Sequence, residues 1–194
     1  MEEKRDPSLN GNAQEKIDQV ERMMINTISE TMDLYGVTPS VGRLYATMYF
    51  KHEPITLDEM KDLLGMSKPS MSTSVRKLQD INIVKKVWQK GSRKDSFIAE
   101  KNFFNYFSEF YGMKWEREVN MYLTSLKKAQ AQLKEVIDDS ETDEALREKA
   151  ELDYQQLEDA RIYYRWLEKL TKLTKSREIF DYIPIDDPDE EKKS

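Results

Sequence analysis

The chain has 194 residues, 38% apolar and 35% charged, with a formal net charge of −6 and no cysteine. That length holds one ordinary domain, or a small domain with an extended helical attachment, and the balance suits a helix-rich chain with a modest core. It excludes a disulfide frame, a thiolate zinc site and a cysteine nucleophile. With no apolar stretch in MEEKRDPSLNGN and no window near eighteen apolar residues, neither a secretory leader nor a membrane span is expected, and the chain is read as soluble and cytoplasmic.

In chain order, residues 1–12 read as a disordered tail, rich in charge, Gly and Asn. Residues 13–55 read as two supporting helices. The first takes Asn12 as N-cap and sets Ile17, Val20, Met24, Ile28 and Thr31 on one stripe, ending at Tyr35-Gly36. The second starts at Thr38-Pro39, carries Val41, Leu44, Tyr45, Met48 and Tyr49, and runs to about Lys51 before His52-Glu53-Pro54 breaks it. Residues 56–100 form the next module. Thr56-Leu57-Asp58-Glu59 has the spacing of a capping box, and a short helix follows with Leu57, Met60, Leu63 and Leu64 inward until Gly65 stops it. Ser67 caps a further helix to about Gln79, in which Met71, Val75 and Leu78 make one apolar stripe. Two helices joined by a three-residue turn containing Gly are a helix-turn-helix. Ile83 to Trp88 and Ser96 to Ala99 then read as strands of a hairpin wing with QKGSRK at its tip.

Residues 101–183 read as helical. Positions 102 to 115 hold seven aromatics, a long helix follows to about Ile137, and the polar turn DDSETD offers Ser140 or Thr142 as the next cap. The last helix, about 143 to 175, sets Leu146, Ala150, Leu157, Ala160, Tyr164, Leu167 and Thr171 in an approximate heptad stripe, widened by Ile162, Trp166, Leu170 and Leu173. Residues 184–194 read as a second tail. The expected fold is mainly α: a winged helix-turn-helix with a small β-hairpin wing and long C-terminal dimerisation helices.

Charge points to the partner. Residues 61 to 101 hold ten Lys/Arg against four Asp/Glu, a balance of +6, whereas the rest of the chain sums to −12. Positive charge gathered on one small module favours a polyanion. The polar face of the second helix offers Ser67, Lys68, Ser70, Ser72, Thr73, Arg76 and Lys77, and the wing offers Lys90, Ser92, Arg93 and Lys94. Ser70, Ser72 and Thr73 suit base edges or phosphate, Arg76 has the fork that matches guanine, and a cationic wing tip suits phosphate or the minor groove of double-stranded operator DNA. The competing readings are a winged-helix module that joins proteins, and DNA binding without an effector. No catalytic residue and no metal site is assigned: His52 lies in a helix-ending segment, and neither a glycine-rich phosphate loop nor a carboxylate pair tied to a pocket is found. The apolar stripes of the C-terminal helices exceed what a 45-residue module needs to cover itself, so a homodimer is expected, against packing into a larger monomeric core. The aromatic-rich segment is either core or, with Trp88 and Trp115, a set of ring faces able to hold a quaternary ammonium through cation–π contacts.

MDLYGVTPSVGRLYATMYF (32–50), ITLDEMKDLLGMSKPSMSTSVRKL and VWQKGSRKD together resemble the GbsR-type branch of the MarR regulators, over roughly residues 14 to 120. The last helices match that branch only in kind. The resemblance implies a homodimeric, cytoplasmic winged-helix repressor of choline and glycine betaine import or synthesis genes. It implies no cofactor beyond an effector, choline or a betaine-like compound. Carried onto this chain, it makes Ser67 to Gln79 the recognition helix and Lys86 to Ser96 the wing. It makes Trp88 and Trp115, with Phe110 or Tyr111 and with Tyr45 as a further candidate, the ammonium cage.

Overall fold

The structure, a computed structural model, describes residues 7–91 and 93–186. The chain divides into two compact units, Met1–Phe103 and Phe104–Ser194.

The first unit is a winged helix-turn-helix preceded by two helices. Helix α1 (Pro7–Asp33) begins well before the expected cap at Asn12, so residues 7–12 are helical and not tail. Proline at a first helical position loses no needed hydrogen bond, which allows this earlier start. Residues 1–6 of the expected tail lie outside the described residues. At its far end Gly36 takes φ +75°, and two bonds (Gly36 N–H to Asp33 O at 2.8 Å, Val37 N–H to Met32 O at 3.2 Å) close the helix in a Schellman arrangement. Helix α2 (Pro39–Tyr49) starts on its proline as expected and buries Val41, Leu44, Tyr45, Ala46 and Met48.

Strand β1 (Ile55–Thr56) leads directly into helix α3 (Leu57–Leu64), and the capping box forms in full. The Thr56 backbone N–H donates to Glu59 Oε2 at 2.6 Å, and Glu59 N–H donates to Thr56 Oγ1 at 3.3 Å. Such a cap stabilises a short helix by about 1 kcal/mol. Leu63 departs from the expected inward set and is exposed. At 100° per residue it falls well off the Leu57–Met60–Leu64 stripe, and an eight-residue helix has only one face against the core.

Gly65, at φ +64°, ends α3. Ser67 then caps helix α4 (Lys68–Asp80) by accepting from Ser70 N–H at 3.3 Å, and Met71, Ser74, Val75 and Leu78 turn inward. Asn82, at φ +58°, closes α4, with Ile83 N–H donating to Leu78 O at 3.1 Å. Asn is among the few side chains that tolerate that conformation. Strands β2 (Val84–Val87) and β3 (Ser96–Ala99) form the wing. The sheet is antiparallel in the order β1-β3-β2, with Ile55 opposite Phe97 on one side and Val84 opposite Ala99 on the other. The two-residue β1 was not legible as a strand. Fully enclosed Leu44, Met48, Met60, Met71, Leu78 and Ile83 make the core of this unit. Each such side chain contributes about 1.5–3 kcal/mol by leaving water.

The second unit is an antiparallel helical hairpin. The aromatic segment and the helix after it are one helix, α5 (Phe103–Asp138), not two. Helix α6 (Glu144–Ser176) returns along it, capped by Asp143, which accepts from Ala145 N–H at 3.0 Å, rather than by Ser140 or Thr142. Asp139, Ser140 and Thr142 precede the point where the backbone becomes helical; Asp139 instead accepts from Glu141 N–H within the turn. Tyr122 stacks on Tyr164 with centroids 3.6 Å apart, Gln130 donates to Glu158, and Lys175 pairs with Glu116 at 2.7 Å. These pairs run in opposite order along the two helices. A last short helix, α7 (Ile179–Tyr182), follows.

Much apolar surface remains open. Of the expected α1 stripe only Ile28 is buried, while Ile17, Val20 and Met24 are exposed. On α6, Ala150, Leu167 and Thr171 are buried, but Leu146 is exposed and Ile162 and Trp166 are 68% and 56% exposed.

Candidate nucleic-acid interface and aromatic cluster

Every described member of the predicted DNA-binding set lies in the first unit. On α4, Lys68, Thr73, Arg76 and Lys77 are exposed and Ser70 and Ser72 half-exposed, on the faces left over once Met71, Val75 and Leu78 turn inward. Ser67 is occupied as N-cap, and its hydroxyl also lies 2.9 Å from Ser70 Oγ. In the wing, Gly91 takes φ +84°, and Ser96 Oγ donates to Gln89 Oε1 at 3.1 Å across the base of the tip. Lys90, Arg93 and Lys94 are exposed. Ser92 lies outside the described residues.

The electrostatics of this face turn on a residue the sequence reading did not select. Asp58, in the first turn of α3, accepts from Lys68 Nζ at 2.8 Å through one oxygen and from Lys94 Nζ at 2.9 Å through the other. The bond from Lys68 and then the bond from Lys94 lower its carboxyl pKa from 3.8 to about 2, and Asp58 in turn raises Lys94. Glu59 is also lowered, by the Thr56 backbone N–H and then the Thr56 hydroxyl. The sole sequence signal was the acid inside TLDE, which reads as ordinary first-turn chemistry. Elsewhere in the wing Lys86 pairs with Asp95 at 2.8 Å. Arg76, Lys77, Lys90 and Arg93 form no ion pair among the described residues.

Phe110, Tyr111 and Trp115, three of the five predicted cage residues, come together in the second unit. Phe110 and Tyr111 meet edge to face at 5.1 Å, and Tyr111 and Trp115 lie tilted to each other at 5.9 Å. Phe107 joins them 5.4 Å from Tyr111 and 6.2 Å from Trp115, and Tyr106 stacks on Phe110 at 5.1 Å. Phe180 on α7 packs on Phe104 and Phe107, an addition the sequence did not flag. Lys114 Nζ lies 5.1 Å from the Phe110 centroid, so a cation already uses one ring face. The other two predicted cage residues belong to the first unit. Tyr45 is fully buried, its hydroxyl donating to Glu100 O at 2.8 Å, and Trp88 is 81% exposed at the start of the wing tip.

Comparison with known proteins bears on this arrangement. A sequence model of the GbsR family transcriptional regulator, C-terminal helical hairpin, matches residues 103–181. The HTH-type transcriptional repressor GbsR of Bacillus subtilis (strain 168) is 49% identical over 170 residues, covering 88% of this chain and 94% of that protein. The chain belongs to the GbsR family. The HTH-type transcriptional repressor OpcR of the same organism is 34% identical over 169 residues, covering 87% of this chain and 91% of its own length. A solved transcriptional regulator with 17% identity superposes with a TM-score of 0.55, covering 81% of this chain and 96% of that one, which supports the fold. The GbsR-family match at 103–181 covers α5, α6 and most of α7, so the C-terminal helical hairpin is itself a family feature. This GbsR-family chain is therefore a transcriptional regulator with a helix-turn-helix. Among its described residues no His/Cys/Asp/Glu group is arranged to hold a metal ion, and no helix is long and apolar enough to cross a membrane.

Proposed function

We propose that the chain is a cytoplasmic, homodimeric repressor that covers operator DNA with α4 and the wing of each subunit. In this reading a small quaternary ammonium compound, choline or glycine betaine, tunes its affinity, and its targets are genes of osmoprotectant uptake or synthesis. The observation that carries the DNA-binding part is the basic face of α4 and the wing, with Arg76, Lys77, Lys90 and Arg93 outside any described ion pair in a chain of net charge −6. The names of the similar Bacillus proteins support repression. Dimerisation is supported by the open apolar surface of Ile17, Val20 and Met23 on α1 and of Ile162 and Trp166 on α6. Patches of this kind in a soluble chain mark interaction surfaces.

The ligand part rests on Phe107, Phe110, Tyr111 and Trp115. Aromatic faces attract ammonium groups that offer no hydrogen bond, and Lys114 over Phe110 illustrates the attraction. A ligand shifts operator affinity only by binding one arrangement of the two recognition helices better than another. Titrating intrinsic tryptophan fluorescence with choline and with glycine betaine tests this. A saturable change with one of them, missing for an ammonium salt of similar size and lost in Trp115→Phe, supports the cage. A flat response to both returns the rings to core packing.

A further inference from the structure

Asp58 occupies a place where a regulator that binds a polyanion would gain most from having no anion. Its two oxygens hold ammonium groups from two different elements: Lys68, the first residue of α4, and Lys94, in the wing thirty-six positions further along the chain than Asp58. The carboxylate is 33% exposed and opens on a cleft of about 320 Å³ lined by Thr56, Asp58, Lys68, Arg93, Lys94 and Asp95. The capping box does not need it, since Thr56 and Glu59 complete that motif by themselves.

We propose that Asp58 is a resident substitute for a DNA phosphate, an intramolecular competitor that holds Lys68 and Lys94 in the free protein and lowers DNA affinity. The proposal rests on the reading that α4 and the wing bind DNA. Two lysines and one aspartate leave this corner a single net positive charge, and without Asp58 it would carry two. Each lysine engaged by Asp58 condenses less of its charge onto the duplex and so releases fewer counterions when DNA binds. The carboxylate also stays close to the backbone in the complex, where a like charge at about 4–6 Å in water opposes binding. Asp58 thus acts through Lys68 and Lys94 as a positioning residue, setting how easily the protein leaves DNA.

The test uses the full chain and a random-sequence duplex of about three helical turns, with affinity measured across a salt series. Asp58→Asn keeps the side-chain shape and removes the charge. Binding should tighten about fivefold at low salt, and the log–log salt slope should steepen by about one unit. Adding Lys94→Gln to Asp58→Asn should return the slope to that of the wild type. A merely structural Asp58 would loosen binding on substitution, and that result, or an unchanged slope, overturns the proposal. Should Asp58→Asn fail to fold in a thermal scan, two wing variants decide instead. Lys94→Gln should flatten the slope less than Arg93→Gln, and equal flattening overturns the proposal. Wild-type protein that binds no duplex at any salt overturns the DNA-binding reading and this proposal with it. Wild-type binding with an unaltered Asp58→Asn overturns this proposal alone.

Discussion

Gly42 sits in the interior of α2, where glycine costs about 0.8–1.0 kcal/mol relative to alanine, so a packing reason for its presence is needed. The reason is α1. A Cβ at position 42 would lie 3.1 Å from Ser29 Oγ, 3.2 Å from Ser29 O and 3.3 Å from Ser29 Cα. The hydroxyl could rotate away, losing its 3.3 Å bond to Pro39 O, but the backbone atoms cannot. Normal contact requires about 3.5–4.0 Å, so α1 must retreat by several tenths of an ångström along its length against α2. Overpacking of this kind costs about 1–3 kcal/mol, and the propensity gain offsets about 1. Gly42→Ala should therefore destabilise the protein by about 1 kcal/mol, and Gly42→Val, with two further methyls and a β-branch, by about 3. For a chain of this size that corresponds to melting-temperature decreases of about 2–4 °C and about 6–12 °C in a differential scanning calorimetry series. An alanine variant as stable as the wild type, or more so, would refute the close α1–α2 contact.

Tyr45→Phe keeps the buried ring and removes the donor to Glu100 O. Glu100 is half-exposed and its carbonyl can take water instead, so chemical denaturation should show a loss of about 1 kcal/mol, with any choline or betaine response intact. A lost ligand response with unchanged stability would contradict that core role. Asp58 should titrate near 2 in a carboxyl NMR experiment, rising more in Lys68→Gln than in Lys94→Gln. Because its folded pKa is depressed from 3.8, its stabilising contribution is present above about pH 4 and lost as pH falls toward 2. A midpoint at 3.8 would show that the two ion pairs do not persist in solution.

The helix-turn-helix was legible because its signals are local. A capping box, a left-handed glycine and a Ser cap at fixed offsets place α3, its turn and α4 to within a residue or two. The face of α4 followed from periodicity alone. What failed was set by distance along the chain or by the absence of a competing signal. Asp58 reads as a first-turn acid until folding brings Lys94 to it, and Phe180 lies beyond the last assigned helical stripe until α7 returns it to Phe104 and Phe107. β1 is too short for any alternation to show, since its identity is its pairing with β3. Gly42 inside SVGRLYATMYF reads as a weak helix residue because its partner, Ser29, lies in another helix. Of the α1 stripe only Ile28 is buried, because periodicity says only that a face is apolar and not what covers it. Asp143 displaced Ser140 and Thr142 as cap because all of these residue types suit the role and backbone geometry chose among them.

The central claim, that α4 and the wing form a DNA-binding surface, is tested most directly by equilibrium binding of the purified chain to duplex DNA from about 50 to 300 mM salt, for wild type and Arg93→Ala. The account predicts affinity that falls log-linearly with salt. It also predicts weaker binding by Arg93→Ala to every sequence, with a slope shallower by about one unit. Retention on DNA that is absent or indifferent to salt, or an Arg93→Ala slope equal to that of the wild type, would contradict it.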